Sequence, residues 1–342
     1  MPRRLRVLSA VGALQDGRRA HRRARTGLFL RRPALAQIAR PDRLTLALFV
    51  GVVLIGGSNF VAVRFSNAEL PPYWGAALRF LPASVLLLAT MAVWRIPFPH
   101  GASLRGAALY GALNFGLGYA LTYYGLQDAP AGTGAVVLAT VPLFTLVLVA
   151  LHGLERFRGR GLVGGLVALA GIALVFREQL SASVPVPSLV AILANALVAA
   201  ESGVIAKGLP RMHPIATNAV GMFVGALIVL ALSFAVGESH ELPHTSTTWI
   251  VVAYLSIVGS IGLFGLFLVM LRRWTASASS YALVVMPLVA VALGAALRGE
   301  TITPIFLVGG VLVGAGVYVG ALSGASSRGS PDTGRPIPAR GR

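Results

Sequence analysis

Between Leu44 and Leu322 the chain is a succession of apolar runs of roughly 20 residues, each ended by a few turn-forming or charged residues. At about 1.5 Å of rise per residue, one such run crosses a hydrocarbon core about 30 Å thick. Lipid offers no partner to a free N–H or C=O, so each run must close its hydrogen bonds within itself, as a helix. The composition agrees, with 56% hydrophobic and 12% charged residues against roughly 45–50% and 25% in soluble domains. A water-soluble single domain is excluded, and the expected class is an all-α integral membrane protein. The chain has no cysteine, which removes disulfides, thiolate nucleophiles and thiolate metal sites, and no cofactor is implied.

Apolar runs read against turns and charges give ten expected spans: Leu44 to Val63, Pro72 to Trp94, Leu104 to Leu126, Ala129 to Leu151, Gly161 to Phe176, Pro187 to Ala206, Pro214 to Val236, Thr248 to Leu271, Ala276 to Leu297 and Pro304 to Leu322. The basic residues check that count. With the amino terminus cytoplasmic, and both tails set aside, nine Lys and Arg fall on the inner side and only Arg64, Arg177 and Arg298 on the outer. Short basic loops stay in the cytoplasm, and a missed span would scramble the alternation. Both termini are therefore expected inside, in a multi-pass protein of the cell inner (plasma) membrane.

The formal charge of +18 does not point to nucleic acid, because residues 1–43 alone hold twelve Arg against Asp16 and Asp42. Such a leader reads as a transit peptide, as an arm held near anionic lipid, or as sequence before an unused start. A dispensable, disordered arm is the favoured reading, with a second disordered tail over residues 323–342.

The chain also repeats itself. A shift of 145 carries Pro142 onto Pro287, Glu155 onto Glu300, Gly164 and Gly165 onto Gly309 and Gly310, and Gly171 onto Gly316. Earlier in each half a shift of 143 pairs Arg64 with Lys207, Pro71 with Pro214, Ser58 with Glu201 and Asn59 with Ser202. Five spans per half is an odd number, so the second half, 186–322, enters the membrane upside down relative to the first, 44–178. Inverted repeats of this kind hold a substrate near the midplane and open to either side in turn.

Gly57-Ser58-Asn59-Phe60, Leu78-Arg79-Phe80, Pro142-Leu143 with Glu155-Arg156, and Pro287-Leu288 with Gly299-Glu300 stand in the two halves in that order. With them the chain resembles the EamA-type drug/metabolite transporter (DMT) superfamily. The resemblance covers residues 44–322; Gly56 stands where that superfamily often has Trp. It implies a secondary transporter that moves an amino acid or related polar metabolite, often by export, through alternating access. A membrane-embedded enzyme acting on lipid-linked substrates would need clustered acids, bases or ligands, and a non-transporting scaffold would move no solute. The buried charges are too sparse for an enzyme.

Each candidate site residue has a bland alternative. Glu201 lies inside an apolar span toward its inner end, where it is either a proton-coupling or substrate group or a structural carboxyl that pairs with Lys207. Arg79 lies toward the outer end of the second span and is placed to snorkel; turned inward, its fork of donors suits a carboxylate. Asn59, Asn114, Asn195 and Asn218, with Ser202, Tyr119 and Tyr123, can line a polar cavity or hydrogen-bond between helices. Pro142 and Pro287 interrupt the fourth and ninth spans as packing kinks or hinges. Glu155 and Glu300 read as structural carboxylates at helix starts. His240-Glu241-Leu242-Pro243-His244 fits the H-E-x-x-H zinc string, but Pro243 spoils the helix that string needs, so no metal is expected. The glycines of the fifth and tenth spans, including the pairs Gly310 with Gly314 and Gly316 with Gly320, predict close helix contact. Trp74, Trp94, Trp249 and Trp274 fall near span ends, as interfacial anchors do. The expected partners are a small-molecule substrate, the lipid bilayer and a candidate proton.

Overall fold

The computed structural model describes residues 41–129, 131–180, 184–210, 212–298 and 303–323. Nearly all of the basic arm, the carboxyl-terminal tail from residue 324, Arg211 and Gly299-Glu300 lie outside the described residues.

The described chain is all helix, turn and loop. Helix α1 is Arg43–Ser66 and α2 is Pro72–Val93. Helix α3 runs over 101–128, and α4 comprises Ala131–Leu138 and Val141–Leu151. Then come α5, Gly159–Val175, α6, Val186–Gly208, and α7, Pro214–Ala235. Helix α8 runs over Ser246–Arg273, α9 comprises Ala276–Ser279 and Ala282–Arg298, and α10 opens as Pro304–Val317. Eight of these segments are long and apolar enough to cross a membrane, and α5 is a shorter apolar helix. The protein is an all-α integral membrane protein.

The chain punctuates its helices chemically. Asp42 caps α1 by accepting from the Thr45 amide at 2.9 Å, and Thr245, Thr275 and Thr303 cap α8, α9 and α10 in the same way. Proline occupies the first turn of α2, α6, α7 and α10, where its missing N–H costs nothing. Pro142 likewise sits in the first turn of the second piece of α4, after a turn at Ala139-Thr140, whereas Pro287 lies inside an unbroken stretch of α9.

Small residues set the close contacts. A Cβ on Gly164 would meet the Gly320 backbone at 2.5 Å, and one on Gly316 would meet the Gly164 carbonyl at 2.6 Å, so α5 and α10 touch backbone to backbone. Gly171 and Gly309 extend that seam, whereas Gly310 and Gly314 face open space and take no part in it. Gly56 and Gly57 admit Met286 and Val289 of α9, and Gly111 lies against Gly221 of α7.

Helix α1 packs on α8 and α9, α6 on α3 and α4, α2 on α7, and α5 on α10. Lys207 and Trp274 behave differently from their sequence reading, and Glu155, a structural carboxylate at a helix start as expected, serves a different helix. Lys207 donates to the carbonyls of Leu271 and Trp274 at 2.5 and 2.6 Å, capping the end of α8 instead of pairing with Glu201. Glu155 serves the amino terminus of α9, accepting from the Ala276 amide at 2.6 Å and from the Ser277 hydroxyl. Trp274 is only 4% exposed, edge-on to Phe49, and so is a core residue, while Trp94 and Trp249 are exposed.

Candidate functional site

Two of the longest helices are built alike. Helix α3 runs Gly101–Gly111, a π-helical turn Ala112–Leu117, then Gly118–Asp128. Helix α8 runs Ser246–Ser256, a π-helical turn Ile257–Gly262, then Leu263–Arg273. Wide turns of this kind shift the backbone ladder by one residue and leave carbonyls for other donors. The second turn shows the consequence. The Gly259 carbonyl accepts from Asn59 Nδ2 of α1 at 2.9 Å and from Arg79 Nη2 of α2 at 2.7 Å. Arg79 Nε donates to Ser260 Oγ at 2.7 Å, and that hydroxyl donates to the Leu255 carbonyl at 2.8 Å.

Arg79 therefore does not snorkel. It is 3% exposed, and its guanidinium lies 4.9 Å from the Phe80 ring centre and 5.6 Å from that of Tyr119. The surrounding rings interlock: Phe80 with Phe115 at 5.1 Å and Tyr119 at 4.8 Å, Phe115 with Phe264 at 4.6 Å, and Tyr123 with Tyr73 at 5.9 Å. Aromatic faces are among the few apolar surfaces that stabilise a cation.

The remaining polar candidates form separate groups. Ser202 Oγ donates to Asn114 Oδ1 in the first π-helical turn at 3.2 Å, and Asn195 Nδ2 donates to Thr122 Oγ1 at 2.7 Å. Asn218 is buried, and its Oδ1 has no partner. Glu201 Oε1 lies 3.2 Å from His152 Nε2, while its Oε2 is buried without a partner. Ser58 Oγ lies 2.5 Å from the Tyr254 phenol oxygen, Oη. Asn59, Arg79 and Tyr119 thus share one neighbourhood, with Tyr123 beside Tyr119, while Ser202 with Asn114, Asn195 with Thr122 and Glu201 with His152 form pairs of their own. Gly259, Ser260, Phe264 and His152 escaped the sequence reading. A signal for the first two existed, because the repeat shift of 145 carries residues 112–117 onto 257–262 and Asn114 onto Gly259.

Outside the spans, two carboxylates tie helix ends together. Asp42 accepts from Thr45 and from Arg273 Nη2, the latter at 2.5 Å, and these bonds, Thr45 foremost, hold it down at about 2. Glu69 accepts from Thr248 and Thr245 hydroxyls at 2.5 and 2.8 Å and from the His244 amide, and the Thr248 bond leads in lowering it to about 2. Glu238 caps α2 through the Tyr73 and Trp74 amides at 3.0 and 2.8 Å. The His240 to His244 string is loop, with His240 stacked on Phe234 at 4.1 Å. Among the described residues no group of three potential metal ligands occurs. An apolar crevice of about 410 Å³ between α9 and α10, lined by Leu288, Phe306 and Val311 among others, has little polar surface and is not this site.

A family model described as "EamA-like transporter family" matches twice, over residues 43–177 and 186–321. "Uncharacterized inner membrane transporter YedA" of Escherichia coli K12 is 33% identical over 276 residues, 80% of this chain and 89% of that protein. "Probable amino-acid metabolite efflux pump" of Salmonella typhimurium is 26% identical over 286 residues, 78% of this chain and 91% of that one. A crystal structure at 20% identity superposes with a TM-score of 0.70 over 84% of this chain and 99% of its own, so the two share a fold. With two copies of the family model spanning most of its length, the chain belongs to the EamA-like transporter family and is a membrane transporter, not an enzyme.

Proposed function

We propose that the protein is a secondary carrier of the inner membrane that moves an amino acid or related polar metabolite outward by alternating access. In this reading ten helices span the bilayer as two inverted five-helix halves, 44–178 and 186–322, with both termini cytoplasmic. The eight apolar segments, the shorter α5 and the π-interrupted α3 supply the ten spans.

The observation that carries the reading is how helix contacts exchange between halves. Helix α1 packs on α8 and α9 as α6 packs on α3 and α4, while α2 meets α7 and α5 meets α10. That exchange supports a two-fold axis between the halves, which five spans per half would lay in the membrane plane. Side-chain contacts follow it: Asn59 on Gly259 corresponds to Ser202 on Asn114, and Thr45 with Arg273 at one end corresponds, position for position, to Ser188 with Asp128 at the other. Two similar bundles meeting at such an axis can rock between two arrangements of nearly equal energy. The amino-acid efflux name of the Salmonella relative supports the substrate class.

Glu201 with His152 is the candidate proton site, an ionisable pair that joins α6 to the end of α4. The test is flux in proteoliposomes loaded with a panel of radiolabelled amino acids and amines, with and without a pH gradient. Saturable flux of at least one solute is expected, with the response to the gradient lost in Glu201→Gln. Absence of flux for every solute would contradict the carrier reading.

A further inference from the structure

We infer that Arg79 and Asn59 form the receptor for the two charges of an α-amino acid, the carboxylate on the guanidinium and the ammonium on Asn59 Oδ1. The inference rests on the carrier reading and deepens it by naming the substrate class and the atoms that hold it.

Both side chains meet at one backbone atom, the Gly259 carbonyl, and each is left incomplete there. Arg79 uses Nε and Nη2 on Ser260 and Gly259, yet among the described residues no carboxylate pairs with it. Ion pairs elsewhere join His152 with Glu201, His244 with Glu241, and Arg273 with Asp42. Two carboxylates at the starts of α8 and α2 are otherwise engaged, Glu69 by Thr245 and Thr248 and Glu238 by the Tyr73 and Trp74 amides. A guanidinium cannot shed its charge in a protein, so its environment must supply the anion or leave it uncompensated.

Asn59 is 7% exposed. Its amide orientation is fixed because Nδ2 donates to a carbonyl. Oδ1 is then a buried acceptor without a donor. An unanswered cation beside an unanswered acceptor is the complement of a zwitterion, whose carboxylate and ammonium lie one carbon apart. The repeat supplies a control inside the same molecule. The counterparts of Arg79 and Asn59 are Met222 and Ser202, and the Ser202 hydroxyl is already engaged by Asn114 and the Ala199 carbonyl. Of the two equivalent residue pairs, Arg79 with Asn59 is charged and incomplete, and Met222 with Ser202 is neither. The rings of Phe80, Tyr119 and Phe264 around it favour an apolar or aromatic amino-acid side chain.

The test uses the full chain in nanodiscs and binding of tritiated L-phenylalanine or L-leucine, with phenethylamine and 3-phenylpropionate as competitors that each lack one charge. Wild type should bind at least one amino acid, and neither competitor should displace it at comparable concentration. Arg79→Gln should weaken amino-acid binding by about tenfold or more and leave weak phenethylamine binding unchanged, while Arg79→Lys should keep part of the preference for a carboxylate. Asn59→Leu should remove the advantage of phenylalanine over 3-phenylpropionate. Because the competitor series needs no variant, a substitution that fails to fold does not spoil the test. Amino-acid binding unaffected by Arg79→Gln, or no amino-acid binding by wild type, would overturn the inference. Continued flux of another solute in either case would leave the carrier reading standing, whereas absence of all flux would remove both.

Discussion

At the scale of single residues, position along a helix was legible and direction was not. Arg79 stands seven residues into α2, a depth the sequence gives at once; that it turns inward follows only from the carbonyl that the π-helical turn of α8 presents to it. Glu201 and Lys207 are near neighbours in sequence, but each is taken by a group on another helix, His152 and the end of α8. Glu69 gives a testable case. Its carboxylate, held at about 2 against an ordinary 4.5, accepts from His244, Thr245 and Thr248 around the start of α8. A carboxylate depressed in the folded state stabilises fully above its unfolded value, and that contribution fades as pH falls from about 4.5 toward 2. Thermal unfolding in detergent should therefore separate wild type from Glu69→Gln by a constant gap above pH 5 that closes in more acidic buffer. A gap independent of pH would show that the bonds do not depend on ionisation.

At the scale of elements, the apolar runs located nearly every helix because lipid leaves the backbone no alternative. The seams between helices were harder, since small-residue spacing marks a close-packing helix without saying which face is used. Gly310 and Gly314 have that spacing and face open space, while Gly164 and Gly316 touch backbone. Gly164→Val should accordingly cost about 1–3 kcal/mol of stability, since backbone cannot yield as a flexible side chain would. Gly314→Ala should be close to neutral or slightly stabilising, because it fills open space in a helix. Melting curves of the two variants decide the point, and equal behaviour would contradict the assigned seam. The π-helical turns lay beyond reading from local sequence, as neither ALNFGL nor IVGSIG carries a proline, and their glycines do not differ from the many others in the spans. They emerge as a pair only when the repeat offset is applied.

At the scale of the whole molecule, one weak internal repeat connects fold and site. Shifts of 143 and 145 residues link contacts at opposite ends of the bundle, and where the two halves differ, Arg79 against Met222, the site gains its charge. The absence of cysteine makes the inversion directly measurable. Ile96 and Ser239 are related by the shift of 143 and lie in the loops after α2 and α7. Single cysteines at Ile96 and Ser239, probed in intact cells with a membrane-impermeant maleimide, should differ: Ser239→Cys labels from outside, and Ile96→Cys labels only after the membrane is opened. Labelling of both from the same side would contradict an inverted pair of halves, and with it the carrier built on their shared axis.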